Sequence, residues 1–223
     1  MPRFRYPQFC PVARAAEIVG ERWTLLIVRE LLLGPRRFSD LVAPLSGISP
    51  SVLASRLASL EARAVVARRS LPPPAAAVVY ELTPHGERLE RILLELGRWG
   101  IELLDARQPD DYFDPAWVEL GLRMLCRTTP TPQRRFRVTV PLPEGELRLA
   151  VRGGENGASV SREITESDVS IHAESFVVMG MAMGDLDPED AIRSGALRAS
   201  GNLEALHDFP ALFDKPTPTM TGD

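Results

Sequence analysis

Apolar positions follow a helical period through much of the first half of the chain and alternate as in strands from about residue 136 onward. Pro11–Val19 reads as a short helix with Cys10 just before it. Residues 21–33 (ERWTLLIVRELLL) are apolar almost all round, which predicts a buried central helix, and Gly34-Pro35 ends it. A further short helix is expected between Arg37 and Gly47, where the glycine permits a tight turn. Ser49 is a natural N-cap and Pro50 occupies the first helical position after it. In that helix Leu53, Leu57 and Leu60 fall at i, i+4 and i+7 on one face, and Ser51, Ser55, Arg56 and Ser59 lie opposite. Residues 65–69 and Val78–Leu82 read as two strands joined by a Pro/Ala-rich tip. Thr83-Pro84 then opens a long helix reaching about Ala106. Its Leu89, Ile92, Leu96, Trp99 and Leu103 repeat at alternating spacings of three and four, a coiled-coil-like seam.

After a polar break at 108–113 (QPDDYF), Pro115 restarts a helix to about Cys126, and 128–135 (TTPTPQRR) has the composition of a linker. Strands are predicted at 136–140, 147–151, 158–161 and 168–173, with turns at Pro143-Glu144-Gly145 and at 153–157. Residues 174–184 (ESFVVMGMAMG) form an apolar, Met-rich helix, and Asp187-Pro188 starts another that ends near Gly195. A short strand at 197–200 and a last amphipathic helix at 202–213 complete the pattern. The fold class is α+β. A winged helix-turn-helix domain is expected over 1–107, a linker with a short helix over 108–133, an α+β domain over 134–215 and a disordered tail over 216–223.

A helix-turn-helix followed by a ribbon is a winged helix, an arrangement that lays one helix in the major groove and a basic ribbon along the DNA backbone. The net charge of −4 argues against a nucleic-acid partner until its distribution is considered. Residues 1–100 carry 14 Arg and 9 Asp/Glu, so a cationic module precedes an acidic one. Hydrophobic residues at 44% and charged residues at 25% are ordinary for a globular protein, and no apolar run nears the ~20 residues of a membrane helix. The start lacks the apolar core of a secretory signal, so the cytoplasm is the expected compartment and no membrane partner is expected. Two cysteines, Cys10 and Cys126, are too few for a disulfide framework, and their surroundings do not supply four metal ligands. His85, His172 and His207 are scattered, and the glycines at 153–157 are not followed by the Lys-Ser/Thr of a phosphate loop. No catalytic residue, cofactor or metal is expected.

Residues 10–100 resemble the HxlR family of bacterial winged-helix regulators. The resemblance runs through Cys10-Pro11, Gly20-Glu-Arg-Trp23-Thr-Leu-Leu, Gly34-Pro-Arg-Arg37-Phe38, Ile48-Ser49, Leu53-x-x-Arg56-Leu57, Leu60-Glu61, Arg68-Arg69, Tyr80-Glu81-Leu82-Thr83-Pro84-x-Gly86 and Trp99-Gly100. It implies a dimeric transcriptional regulator of the broader MarR-like kind. Two departures are Ala64, where the family usually has Gly, and the absence of the Lys or Gln often found on the recognition helix. Ser49, Ser51, Ser55 and Arg56 are the candidate base-facing residues, with Arg56 open to a structural ion pair instead. Arg36, Arg37, Arg68 and Arg69 are candidate phosphate contacts. Leu89, Ile92, Leu96, Trp99 and Leu103 are the candidate dimer seam. Cys10 stands at a helix N-terminus, a position that favours a thiolate, and is the candidate redox sensor, with dimer packing as the alternative.

Residues 134–213 are similar to sterol-carrier-protein-type lipid-binding domains. The pattern is Gly184-Asp-x-Asp-Pro188-x-x-Ala-x-x-Ser-Gly195-x-Leu-Arg-x-Ser-Gly201, closed by Phe209-Pro-Ala-Leu-Phe213. That resemblance implies an apolar tunnel, with Phe176, Val177, Met179, Met181 and Met183 as candidate wall residues for a hydrophobic small molecule. The expected function is a homodimeric regulator, a repressor, bound to a palindromic double-stranded DNA operator and controlled through this second domain. The alternatives are a lipid carrier dimerised by its first domain, and a thiol-switched regulator whose second domain is structural.

Overall fold

The computed structural model describes residues 5–74, 76–104, 108, 110–164 and 166–215; the expected tail over 216–223 and the far end of the long helix at Ala106 lie outside these. The chain divides into two compact units, Met1–Leu93 and Leu94–Asp223, a division placed earlier than the expected boundary at 107.

In the first unit, α1 (Pro11–Val19) is followed by α2 (Thr24–Leu32). The second helix starts later than its apolar pattern predicts, because Trp23 at its N-cap sits in the left-handed region with φ 78°. A bulky residue holds that conformation only when its surroundings require it. Here the Trp23 ring packs against the unit's core, and the Arg22 guanidinium lies 5.0 Å from its centroid. A two-residue strand, β1 (Arg36–Arg37), comes next. The first helix of the helix-turn-helix is reduced to a 3-10 turn at Ser39–Leu41. Pro44 explains this, since it lacks an N–H and disfavours helical backbone before it. The chain then turns through Gly47 at φ 88° into α3 (Pro50–Glu61). Leu53, Leu57 and Leu60 of α3 are buried with Ile27, Leu31, Leu41, Leu45 and Val65.

The wing pairs β2 (Val66–Ser70) with β3 (Val78–Leu82), and β1 adds to the other edge of β3, giving the antiparallel order β1-β3-β2. The expected long helix is two, α4 (Pro84–Glu87) and α5 (Leu89–Ile101). Thr83 caps the first of them: its hydroxyl accepts from the Gly86 N–H at 3.1 Å and donates to the Ala64 carbonyl at 2.5 Å. A Cβ at Gly86 would stand 2.0 Å from the Val65 carbonyl oxygen, so only glycine allows this approach.

The second unit is built on a five-stranded sheet of order β6-β5-β4-β7-β8, from β4 (Arg135–Leu142), β5 (Gly145–Gly154), β6 (Gly157–Ser161), β7 (Val169–Ala173) and β8 (Leu197–Gly201). Among the described residues of this sheet β4 and β7 pair in parallel and the other neighbours antiparallel. Phe136, Val138 and Val140 alternate inward along β4 and meet α6 (Val118–Leu125) and α7 (Ser175–Met183) in one core. A short α8 (Pro188–Arg193) precedes β8. The expected last helix is two 3-10 segments, Leu203–Asp208 and Pro210–Leu212, divided by Pro210. Phe209 meets Phe136 and Phe213 edge to face at 5.1 and 5.2 Å.

Residues 108–133 are more than the linker their composition suggests. Val118, Leu122 and Leu125 of α6 are core residues of this unit. The segment beyond is bonded into it, with Arg127 N–H donating to Leu212, Thr131 N–H to Gly154 and Ala158 N–H to Arg127. Glu119 on α6 is buried between two guanidiniums, Arg123 at 2.6 Å and Arg162 at 2.6 Å. Among the described residues no helix is long and apolar enough to cross a membrane.

Candidate nucleic-acid interface

Helix α3 positions the surface by burying its back. With Leu53, Leu57 and Leu60 almost wholly inaccessible, Ser51 and Ser55 stand outward, and Val52, Ala54 and Ala58 are exposed beside them. Ser49 is largely spent on the helix start: its hydroxyl accepts from the Val52 N–H at 3.3 Å and lies 3.1 Å from the Ser51 hydroxyl. Arg56 lies to one side of this face. Its guanidinium pairs with Glu21 at 2.8 Å, its side chain is 26% exposed, and its Nε is buried. The ion-pair alternative open in the sequence is therefore the arrangement the molecule adopts.

The four wing arginines are brought together on one small sheet. Arg36 and Arg37 stand on β1 opposite Tyr80 and Val79, and Arg68 and Arg69 face the same two residues from β2. Arg68 lies over the Tyr80 ring at 5.6 Å. Arg69 pairs with Glu81 at 2.8 Å, which leaves the exposed Arg37 and Arg68 as the less encumbered cations. The spacing of the sequence did not show that β1 joins the wing, since two residues are too few to display a period. Val52 and Glu21 also escaped it: one is an apolar residue among the exposed serines, the other a carboxylate distant in sequence.

Helix α5 exposes most of its predicted seam. Ile92, Leu96 and Trp99 are 56%, 43% and 61% exposed, and Leu103 just beyond the helix is also exposed, whereas Leu89 packs inward. In the first unit, a mainly apolar cleft of about 320 Å³ lies between α1 and the start of α5, lined by Ile18, Val19, Val65, Leu89 and Ile92. Cys10 is the half-buried N-cap of α1, and its side chain makes no capping bond. The thiol of Cys126, at the end of α6, is pushed up to about 11 by burial, with Arg123 and Arg98 pulling weakly the other way.

The predicted tunnel wall on α7 does not act as one surface. Val177 and Met181 are locked in the core, Met179 and Met183 are partly buried against it, and Phe176 is 69% exposed. Val178 and Ala182 join the buried side. At one end of the sheet an open cleft of about 590 Å³ is polar instead, lined by Arg134, Arg135, Arg152, Asp168 and Asn202. Asp168 accepts from the Arg135 N–H at 2.8 Å and from its guanidinium at 3.0 Å, bonds that hold the carboxyl below its usual range.

A winged-helix module with a leucine-backed recognition helix, followed by a sheet-rich α+β unit, defines a DNA-binding regulator with an appended sterol-carrier-like domain. The HxlR-like helix-turn-helix family matches residues 18–108, and the SCP-2 sterol transfer family matches residues 127–214. The HTH-type transcriptional regulator YvaP of Bacillus subtilis is 39% identical over 99 residues, 44% of this chain and 92% of YvaP. YodB, an HTH-type transcriptional regulator of the same organism, is 36% identical over 40% of this chain and 81% of its own length. The solved reduced form of YodB aligns with a TM-score of 0.39 at 32% identity, covering 45% of this chain and all of that one. The chain belongs to the HxlR family of helix-turn-helix transcriptional regulators and carries an SCP2-type domain after its DNA-binding one.

Proposed function

We propose that this protein is a homodimeric repressor that binds a palindromic operator and is released or retained by a hydrophobic small molecule held in its SCP2-type domain. The observation that carries the reading is α3, with its leucines sunk in the core and Ser51 and Ser55 turned outward beside a wing bearing four arginines. Two such helices, paired about a two-fold axis, would enter major grooves about one helical turn apart. The uncovered Ile92, Leu96 and Trp99 supply an apolar face for a second copy. Control by a ligand requires it to bind one conformer better than the other, since equal affinity shifts nothing.

The test joins two measurements on the full chain. Gel shifts with genomic fragments at moderate salt should show sequence-preferring binding, and sedimentation should show a dimer that Trp99→Glu converts to monomer. Unpreferential binding would leave the lipid-carrier alternative. Native mass spectrometry of the purified protein would show whether an apolar molecule travels with it.

Cys10 favours a second mode of control: it is the half-buried N-cap of α1, at the positive end of that helix's dipole. If Cys10 senses oxidants, Cys10→Ser should abolish diamide control of operator binding; unchanged control in that variant removes the idea.

A further inference from the structure

We infer that base selection in the major groove rests on thymine methyl groups read by Val52, with Ser51 and Ser55 beside it, and that Arg56 is a positioning residue rather than a base reader. This rests on the operator-binding reading above and narrows the class of sequence it takes. The first turns of a recognition helix are the part that reaches base edges. On α3 those turns present Ser51, Val52 and Ser55, and the next exposed position on the face is Ala58. None of these can span a guanine edge with two donors, the contact by which Arg or Lys most often specifies a base pair.

The one guanidinium on the helix is already committed. Arg56 is closed on Glu21 at 2.8 Å, and its Nε is buried without a hydrogen-bond partner. To reach a guanine it would have to leave that carboxylate behind and extend past a face of shorter side chains. Its place ties α3 to the turn between α1 and α2, which fixes the angle at which the helix presents itself. Val52, 37% exposed on the same first turn, offers two methyl groups to the groove. Thymine is the base that answers with a methyl of its own, and apolar contact there is a recognised mode of reading. Serine hydroxyls donate or accept with any base and so add affinity with little choice. The half-site should therefore be specified by the placement of thymines, with guanine positions read weakly.

The experiment starts from a random-sequence duplex pool enriched by the wild-type full-length protein, and measures anisotropy titrations at fixed salt on the enriched duplex. Each thymine is replaced by deoxyuridine, which removes only the methyl, and each guanine by 7-deazaguanine, which removes the N7 acceptor. Deoxyuridine at one or two half-site positions should weaken binding about three- to fivefold, the scale of one buried methyl. Val52→Ala should weaken the parent duplex similarly and erase the deoxyuridine penalty at its position. Arg56→Gln should lower affinity for all duplexes alike and leave the base preferences in place. Insensitivity to every deoxyuridine overturns the inference, as does a 7-deazaguanine penalty that disappears in Arg56→Gln. Failure to enrich any sequence would instead bring down the operator-binding reading, and the inference with it.

Discussion

Single residues in this chain are held in conformations their side chains resist. Ala64, between α3 and β2, adopts φ 53° where the family usually places glycine. Left-handed backbone costs an alanine roughly 1–2 kcal/mol, partly offset by the greater unfolded freedom of glycine. Ala64→Gly should therefore stabilise the chain by about 0.5–1 kcal/mol, measured by urea unfolding. Gly86→Ala should do the opposite and more strongly, because its Cβ would fall against the Val65 carbonyl. Cys126 supplies a pH dependence. Its thiol ionises at about 11 in the folded chain against 9.0 ordinarily, so the folded state binds the extra proton between those values. The associated stability is intact below pH 9 and should fall as pH rises toward 11, and Cys126→Ser should flatten that decline in unfolding curves. At neutral pH an alkylating reagent should modify Cys10 well before Cys126.

Among the elements, the locally encoded ones could be read in advance and the long-range ones could not. The leucine face of α3 and its Ser49-Pro50 start follow from a 3.6-residue period and a cap, both contained within one helix. The strands of the second unit were legible for the same reason, since β4 alternates inward and outward along its length. By contrast the Glu21–Arg56 pair, the addition of β1 to the wing and the burial of α6 depend on contacts between distant segments. Composition misled at 128–135, where Pro and Thr resemble a linker yet the backbone is bonded to β5, Thr131 N–H to the Gly154 carbonyl and Gly153 N–H to the Arg134 carbonyl. Two predictions belong here. Arg37→Ala and Arg68→Ala should each weaken DNA binding for every sequence and reduce the salt slope by about one, read from titrations at several salt concentrations. Glu119→Gln should destabilise the second unit toward the lower end of about 3–5 kcal/mol, since Arg162 is half-exposed and rehydrates easily. Differential scanning calorimetry would register it as a drop confined to that unit's transition.

At the scale of the whole molecule, both family resemblances were legible in the sequence, and the two family matches, 18–108 and 127–214, leave the expected linker between them while the compact units divide at Leu93. An apolar ligand enriched by the second domain should change operator affinity by the ratio of its affinities for the DNA-competent and incompetent states. Comparing delipidated and ligand-loaded protein on one duplex measures that ratio, and equal affinities would make the SCP2-type domain a passenger in regulation. The pairing of Arg56 with Glu21 reaches beyond this one operator. A recognition helix whose only cation is engaged by a neighbouring carboxylate leaves its groove-facing side nearly blank. New specificities could then be installed one long side chain at a time, Ser55→Arg for a guanine or Ser51→Asn for an adenine, with the leucine core beneath left alone. Regulators that share this architecture would be able to change their gene targets over few substitutions without passing through an unfolded intermediate.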